Sequence, residues 1–153
     1  FDSHRLVEGR PCILGGVHIP HPAGPDGHSD GDAVLHAICD ALLGAAGLDD
    51  LGTRFPNTDD RWRDADSADL LSACVQALTD AGWRVGNIDI IVATDGPRIA
   101  PHRTAIRGRI AELVGVAPDA INIKGKTLEG LVASGTDGGV AVQAICLIDR
   151  DGL

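Results

Sequence analysis

Asp2 and His4 are separated by one residue, and on a strand of period two that spacing points both side chains to one face. A second dense run follows at His28-Ser29-Asp30-Gly31-Asp32, with His36 one helical turn beyond Asp32 on the same side. Imidazole and carboxylate suit zinc, and a catalytic zinc takes three protein ligands and keeps a fourth position open for water or substrate. Asp2, His4 and His36 can make such a set. The spacing also fits a plainer reading, in which the D-x-H triplet is coincidental and His36 is a core histidine bonded to a backbone carbonyl.

The elements that must position these residues follow from periodicity. A short opening strand carries Asp2 and His4. Gly15-Gly16, between Cys12-Ile13-Leu14 and Val17-His18-Ile19, predicts a tight hairpin, because glycine reaches positive φ without strain. The turn-rich stretch from Pro20 to Gly27 reads as a loop, after which Ser29 and Asp30 offer caps for a helix running from about Ala33 to Gly47. Apolar residues surround most of that helix, so it is expected to be packed on several sides. The polar stretch 49–64 reads as a loop, and Asp66-Ser67 caps a second helix that Gly82 stops. Residues Val85 to Thr94 read as a strand, Pro101 to Val114 as a helix, and Ala120 to Ile123 and Val140 to Ile148 as strands. The interspersed order predicts one α/β (α+β) domain over residues 1–153: a mixed sheet with helices on one face, the other face left for a neighbouring subunit.

Composition narrows the function. The 153 residues are 44% hydrophobic and 23% charged, the balance of an ordinary globular domain large enough to fold without a metal or disulfide. A net charge of -9 with no basic patch argues against nucleic acid, whose phosphates are held by clustered Lys and Arg. A phosphorylated small molecule would need bound cations and oriented backbone amides to offset that charge. No stretch reaches the roughly 18 apolar residues of a membrane span, so no membrane partner is expected. Cys12, Cys39, Cys74 and Cys146 are scattered with no framework spacing, which predicts buried thiols in a reducing, cytoplasmic compartment. The chain opens on Phe1 rather than Met, so preceding residues are expected, and a plastid stroma after removal of a transit peptide is the alternative location.

Phe1-Asp2-Ser3-His4 and Gly27-His28-Ser29-Asp30-Gly31-Asp32-Ala33-Val34-Leu35-His36-Ala37 resemble the F-D-x-H and H-S-D-G-D-x-x-x-H-A signatures of the 2-C-methyl-D-erythritol 2,4-cyclodiphosphate synthase family. Further pieces are similar to that family: Asp50-Leu51-Gly52, Phe55-Pro56-Asn57-Thr58-Asp59, Gly96-Pro97-Arg98 with Pro101-His102, and Asn122-Ile123-Lys124-Gly125-Lys126-Thr127-Leu128-Glu129. The matching pieces span residues 1 to 129.

The resemblance implies a homotrimer with active sites between subunits and a cytidine diphosphate substrate. It implies that Asp2, His4 and His36 hold Zn2+, that His28 and Ser29 position the diphosphate, and that Asp50 and Gly52 meet the methylerythritol hydroxyls. Asn57 and Asp59 would lie beside the substrate. Glu129, with Thr127 and Lys124 nearby, would hold Mg2+ or Mn2+ as a hard oxygen ligand. Arg98 and Lys126 would serve substrate binding around a cytidine pocket formed by residues 94–100. The reaction implied is an intramolecular phosphoryl transfer that releases CMP in the non-mevalonate pathway, a lyase chemistry needing no protein nucleophile. Catalysis would come from positioning and charge neutralisation.

Departures from the family pattern are local. Asn57 stands for a common aspartate, Asp95 and Arg98 for an amide and a lysine, and Val132, Ala133, Thr136 and Gly138 interrupt an L-G-aromatic-T-G-R-G-E-G stretch that in relatives lines a cavity able to hold an isoprenoid diphosphate. Two other readings compete. A metal-dependent phosphohydrolase would show an adjacent His-Asp pair, which is missing, and a trimeric scaffold without turnover has no reason to keep Asp2, His4, His36 and Glu129.

Overall fold

The computed structural model describes residues 1–129 and 138–150. The substitutions at Val132, Ala133 and Thr136 lie outside the described residues. A five-stranded mixed sheet has the order β4-β1-β7-β5-β6, built from β1 (Asp2–Glu8), β4 (Ala23–Pro25), β5 (Trp83–Thr94), β6 (Ile121–Lys126) and β7 (Gly139–Arg150). Among the described residues only β5 and β6 pair parallel, and the helix between them, α4 (Arg103–Val114), provides the crossover that a parallel pair requires. The hairpin β2 (Ile13–Leu14) and β3 (Val17–His18) forms as the glycine pair predicts.

Strand alternation decides which face is covered. Ile88, Ile90, Val92, Val140, Val142, Ile121 and Ile123 are buried with α1 (Ala33–Ala45), α3 (Ser67–Asp80) and α4, whereas Gln143, Ile145 and Leu147 of β7 are exposed on the other face. The expected sheet with helices on one face is therefore the observed one. Along α1, Val34, Leu35, Ile38, Leu42 and Leu43 are fully buried, which is why its apolar residues surround most of the helix.

Three boundaries differ from the sequence reading. The cap of α1 is Asp32, whose carboxylate accepts from the Val34 and Leu35 amides, and not Ser29 or Asp30. The stretch read as loop from Pro20 to Gly27 contains β4, and the loop 49–64 contains α2 (Leu51–Arg54) and a 3-10 turn at Asp60–Trp62. Among the described residues, no helix is long and apolar enough to cross a membrane.

Candidate active site

β1 pairs with β7 at Asp2↔Val142 and His4↔Val140, which fixes Asp2 and His4 on the helix-covered side of the sheet at the edge of α1. From α1, His36 reaches the same point. Asp2 Oδ2 lies 2.9 Å from His4 Nε2 and 3.1 Å from His36 Nδ1, and the two ring nitrogens are 3.4 Å apart. Tetrahedral zinc with ligand bonds of about 2.0–2.1 Å places its ligand atoms about 3.3 Å from one another. One carboxylate and two imidazoles at this separation fit that geometry, and they are the metal-capable cluster among the described residues. The core-histidine reading of His36 fails, because no backbone carbonyl takes either ring nitrogen in the described structure and Nδ1 faces Asp2.

The loop before α1 is built against this point. Gly31 sits at φ 78°, and a Cβ there would lie 2.6 Å from the Pro25 carbonyl oxygen, so only glycine lets the loop fold back on β4. A Cβ at Gly27 would approach His4 Cε1 at 3.2 Å, so the turn closes directly over the first imidazole. Loops 28–30 and 64–67 are joined by Asp64 N–H donating to the His28 carbonyl at 2.9 Å and Asp30 N–H to the Ala65 carbonyl at 3.1 Å.

Electrostatics at the triad are those of a ligand set. Burial raises the Asp2 carboxyl, but hydrogen bonds from His36 and His4 outweigh it and hold the group well below the usual carboxylate range. His4 is raised above its ordinary value, chiefly by its hydrogen bond to Asp2, against burial, with a backbone hydrogen bond to Asp26 adding to the effect. A metal must displace the proton that His4 retains. Apparent metal affinity is therefore expected to fall about tenfold per pH unit once the pH drops below the raised His4 pKa. Competition with a chromophoric chelator between about pH 8 and pH 6 checks this; an affinity flat across that window would contradict it.

The other sequence-identified residues divide into groups. His28 lies in the loop over the triad, and its Nε2 is buried without a hydrogen-bond partner among the described residues. Ser29 is nearly buried, with its hydroxyl turned inward, 3.1 Å from His36 Nε2. Asp50 is exposed and caps α2 by accepting from Thr53 N–H at 2.7 Å, while a Cβ at Gly52 would meet only the Asp50 carboxylate at 3.9 Å. Asn57 is exposed, and Asp59 is bound to Arg61 at 2.6 Å, hydrogen bonds that lower its carboxyl pKa.

At the opposite sheet edge, Thr94, Asp95, Arg98, Ile99, Lys126 and Thr127 line a cavity of about 260 Å³. Asp95 accepts from Leu128 N–H at 2.9 Å, tying the two loops of this pocket together, and Thr127 Oγ1 donates to Glu129. Lys124 is not brought to this pocket. Its ammonium lies on Asp89 at 2.5 Å, as strand alternation requires, since Ile121 and Ile123 occupy the core side of β6. Ser67 is the functional neighbour that sequence reasoning took only for a cap. It is fully buried at the start of α3, with its hydroxyl 2.9 Å from His36 Nε2.

The register places the triad and this pocket in one row of the sheet: Asp2 pairs with Val142, Val142 with Val92, and Val92 with Gly125. Three interstrand spacings of about 4.8 Å separate them, roughly 14 Å. These features define a single-domain α+β protein that carries a metal-ligand triad and a loop-built pocket at one end of its sheet.

The model of the YgbB family matches residues 1–149, and the chain belongs to the family of 2-C-methyl-D-erythritol 2,4-cyclodiphosphate synthases. It is 50% identical to the synthase of Dechloromonas aromatica (strain RCB) over 152 residues, covering 99% of this chain and 95% of the relative. It is 48% identical to that of Synechococcus elongatus (strain ATCC 33912 / PCC 7942 / FACHB-805) over 151 residues, 99% and 94% of the two chains. A solved cyclodiphosphate synthase in a CDP-bound form superposes with a TM-score of 0.88 at 40% identity, covering 97% of this chain and 96% of that one.

Proposed function

We propose that the chain converts 4-diphosphocytidyl-2-C-methyl-D-erythritol 2-phosphate to 2-C-methyl-D-erythritol 2,4-cyclodiphosphate with release of CMP, in the non-mevalonate route to isoprenoid precursors. The observation that carries this reading is the convergence of Asp2, His4 and His36 in a chain that matches cyclodiphosphate synthases over nearly its whole length. An oxygen of the 2-phosphate attacks the β-phosphorus, the bond from that phosphorus to the bridging oxygen breaks, and CMP leaves with the electron pair. No protein nucleophile is required.

Asp2, His4 and His36 hold zinc, and Glu129 with Thr127 holds magnesium or manganese. When bound, these cations supply the positive charge that stabilises the phosphoryl oxygens during transfer. The chain's own groups orient the substrate. His28 Nε2, buried and without a partner among the described residues, is a hydrogen-bonding group suited to a phosphate oxygen. Ser29 contributes through the turn it forms, since its hydroxyl is engaged by His36. Arg98, Lys126 and the 94–100 loop serve the cytidylyl group in their pocket, and Asp50, Gly52, Asn57 and Asp59 border the substrate.

The roughly 14 Å between triad and pocket in one protomer supports sites shared between subunits of a homotrimer, in which one protomer's triad faces its neighbour's pocket. Ile145 and Leu147, 62% and 67% exposed on the uncovered sheet face, supply apolar surface for that assembly. Phosphorus NMR of the protein incubated with the proposed substrate and magnesium, before and after zinc chelation, tests the reading. Cyclic diphosphate and CMP are expected, and both are lost on chelation. Unchanged substrate with both metals present, or linear phosphate release, would overturn it.

A further inference from the structure

The nitrogen of His36 that faces away from the metal point is held by groups the reaction does not touch. His36 Nε2 lies 2.9 Å from Ser67 Oγ and 3.1 Å from Ser29 Oγ. Ser67 has one hydroxyl proton, and its direction is fixed: it is donated to Asp30 Oδ1 at 2.5 Å, while Asp30 Oδ2 accepts from the Ser67 backbone N–H at 3.1 Å. Asp30 Oδ1 also accepts from Asp32 N–H at 3.1 Å, so the carboxylate is anchored on three donors. Toward His36, Ser67 can then offer only a lone pair, and a 2.9 Å contact to it requires that Nε2 carry the proton. Ser29, at the longer distance, cannot reverse this without setting two lone pairs against each other at the shorter one.

We propose that Asp30 and Ser67 form a positioning relay, carboxylate to hydroxyl to imidazole, that keeps the His36 proton on Nε2 and its Nδ1 lone pair aimed at the metal point. The inference rests on the zinc reading of Asp2, His4 and His36. It gives the first Asp of the H-S-D-G-D run and the first serine of α3 a joint task, across 37 positions of sequence. Ser67 is fully buried, so when its hydroxyl is removed the Nε2–H is left with Ser29 Oγ, the longer contact at 3.1 Å and one not backed by the Asp30 carboxylate. Outer partners of this kind fix the tautomer and ring orientation of metal-bound histidine, and their loss costs about ten- to a hundredfold in metal affinity.

The test compares the parent protein with Ser67→Ala and Asp30→Asn, each loaded with zinc. Affinity is read by competition with a chromophoric chelator, and the His36 Nε2–H proton by NMR of the zinc-loaded protein. The parent is expected to bind zinc and show a slowly exchanging Nε2–H. Ser67→Ala is expected to lose about ten- to a hundredfold in zinc affinity together with that protected proton. Asp30→Asn should fall between the two, because an asparagine oxygen still accepts from the Ser67 hydroxyl, and it tests the relay even if Ser67→Ala folds poorly. A purely structural role for Ser67 would lower thermal stability but leave the Nε2–H protected. Zinc affinity within about twofold of the parent with the proton retained overturns the relay alone, whereas a parent that holds no zinc overturns the zinc reading with it.

Discussion

Replacing His36 with alanine is expected to leave the protein folded, to abolish zinc retention, and to lower turnover by about a thousandfold or more. The size follows from the charge that a bound cation supplies to a phosphoryl group, several kcal/mol of transition-state stabilisation, where about 4 kcal/mol corresponds to a factor near a thousand. The fold should survive because the His36 side chain makes polar contacts to Asp2, Ser29 and Ser67 and does not carry the apolar packing of α1. It is 12% exposed at the edge of α1, while Leu35, Ile38, Leu42 and Leu43 carry the buried face. With the imidazole gone, Asp2 and His4 still form their 2.9 Å pair, so the strand edge keeps its contact, but two ligands cannot hold the ion. Zinc content by atomic absorption, circular dichroism and the phosphorus NMR assay together read this outcome. Full activity in a variant shown to be free of zinc would remove the triad from the mechanism.

The elements that bring the triad together were legible because each carries an unambiguous period. β1 sets Asp2 and His4 on one face by alternation, and α1 is apolar on nearly every side, so both were placed to within a few residues. The cap of α1 was misread for a physical reason. Ser29, Asp30 and Asp32 can all cap a helix, and what chooses among them is distant in sequence: the Gly15 and Gly16 amides claim Asp32, and Ser67 claims Asp30. β4 was invisible because Ala23-Gly24-Pro25 has no period to read, and its strand character comes from pairing with Leu6 to Glu8. The same limit applied to Ser67, which beside Asp66 looks only like a cap until α3 is packed against the loop over His36. Lys124 shows the reverse case. Alternation along β6 already set it opposite Ile121 and Ile123, and the family motif drew it toward the phosphates despite that.

Asp32→Ala is expected to cost roughly 3–5 kcal/mol of stability, a large share of the about 5–15 kcal/mol typical of a folded domain. The Asp32 carboxylate is fully buried and accepts four backbone N–H groups. Gly15 N–H donates at 2.9 Å and Gly16 N–H at 2.6 Å from the hairpin turn, and Val34 and Leu35 N–H at 3.0 and 3.1 Å from the first turn of α1. Burial pushes its pKa up to about 6, against the pull of the Gly16, Gly15 and Leu35 amides. Alanine leaves those donors without an acceptor where water has little access, and each buried unpaired donor costs about 1–3 kcal/mol. The hairpin cannot shift to compensate. Gly15 and Gly16 are held at φ 65° and 70°, and a Cβ at Gly15 would strike Ile106 Cγ2 at 2.4 Å, so the turn is seated directly on α4. Asp32→Asn should lose less, because one amide oxygen keeps the bonds made by Oδ1 and only the Gly16 N–H faces the new NH2 group. Urea unfolding at one fixed protomer concentration measures both variants, since an assembling protein changes its apparent stability with dilution. A loss below about 1 kcal/mol for Asp32→Ala would mean that desolvating the charge cancels nearly all of what its four bonds return. The expected larger loss would make Asp32 the joint between hairpin and α1, and its removal should also weaken zinc binding by freeing the helix turn that carries His36.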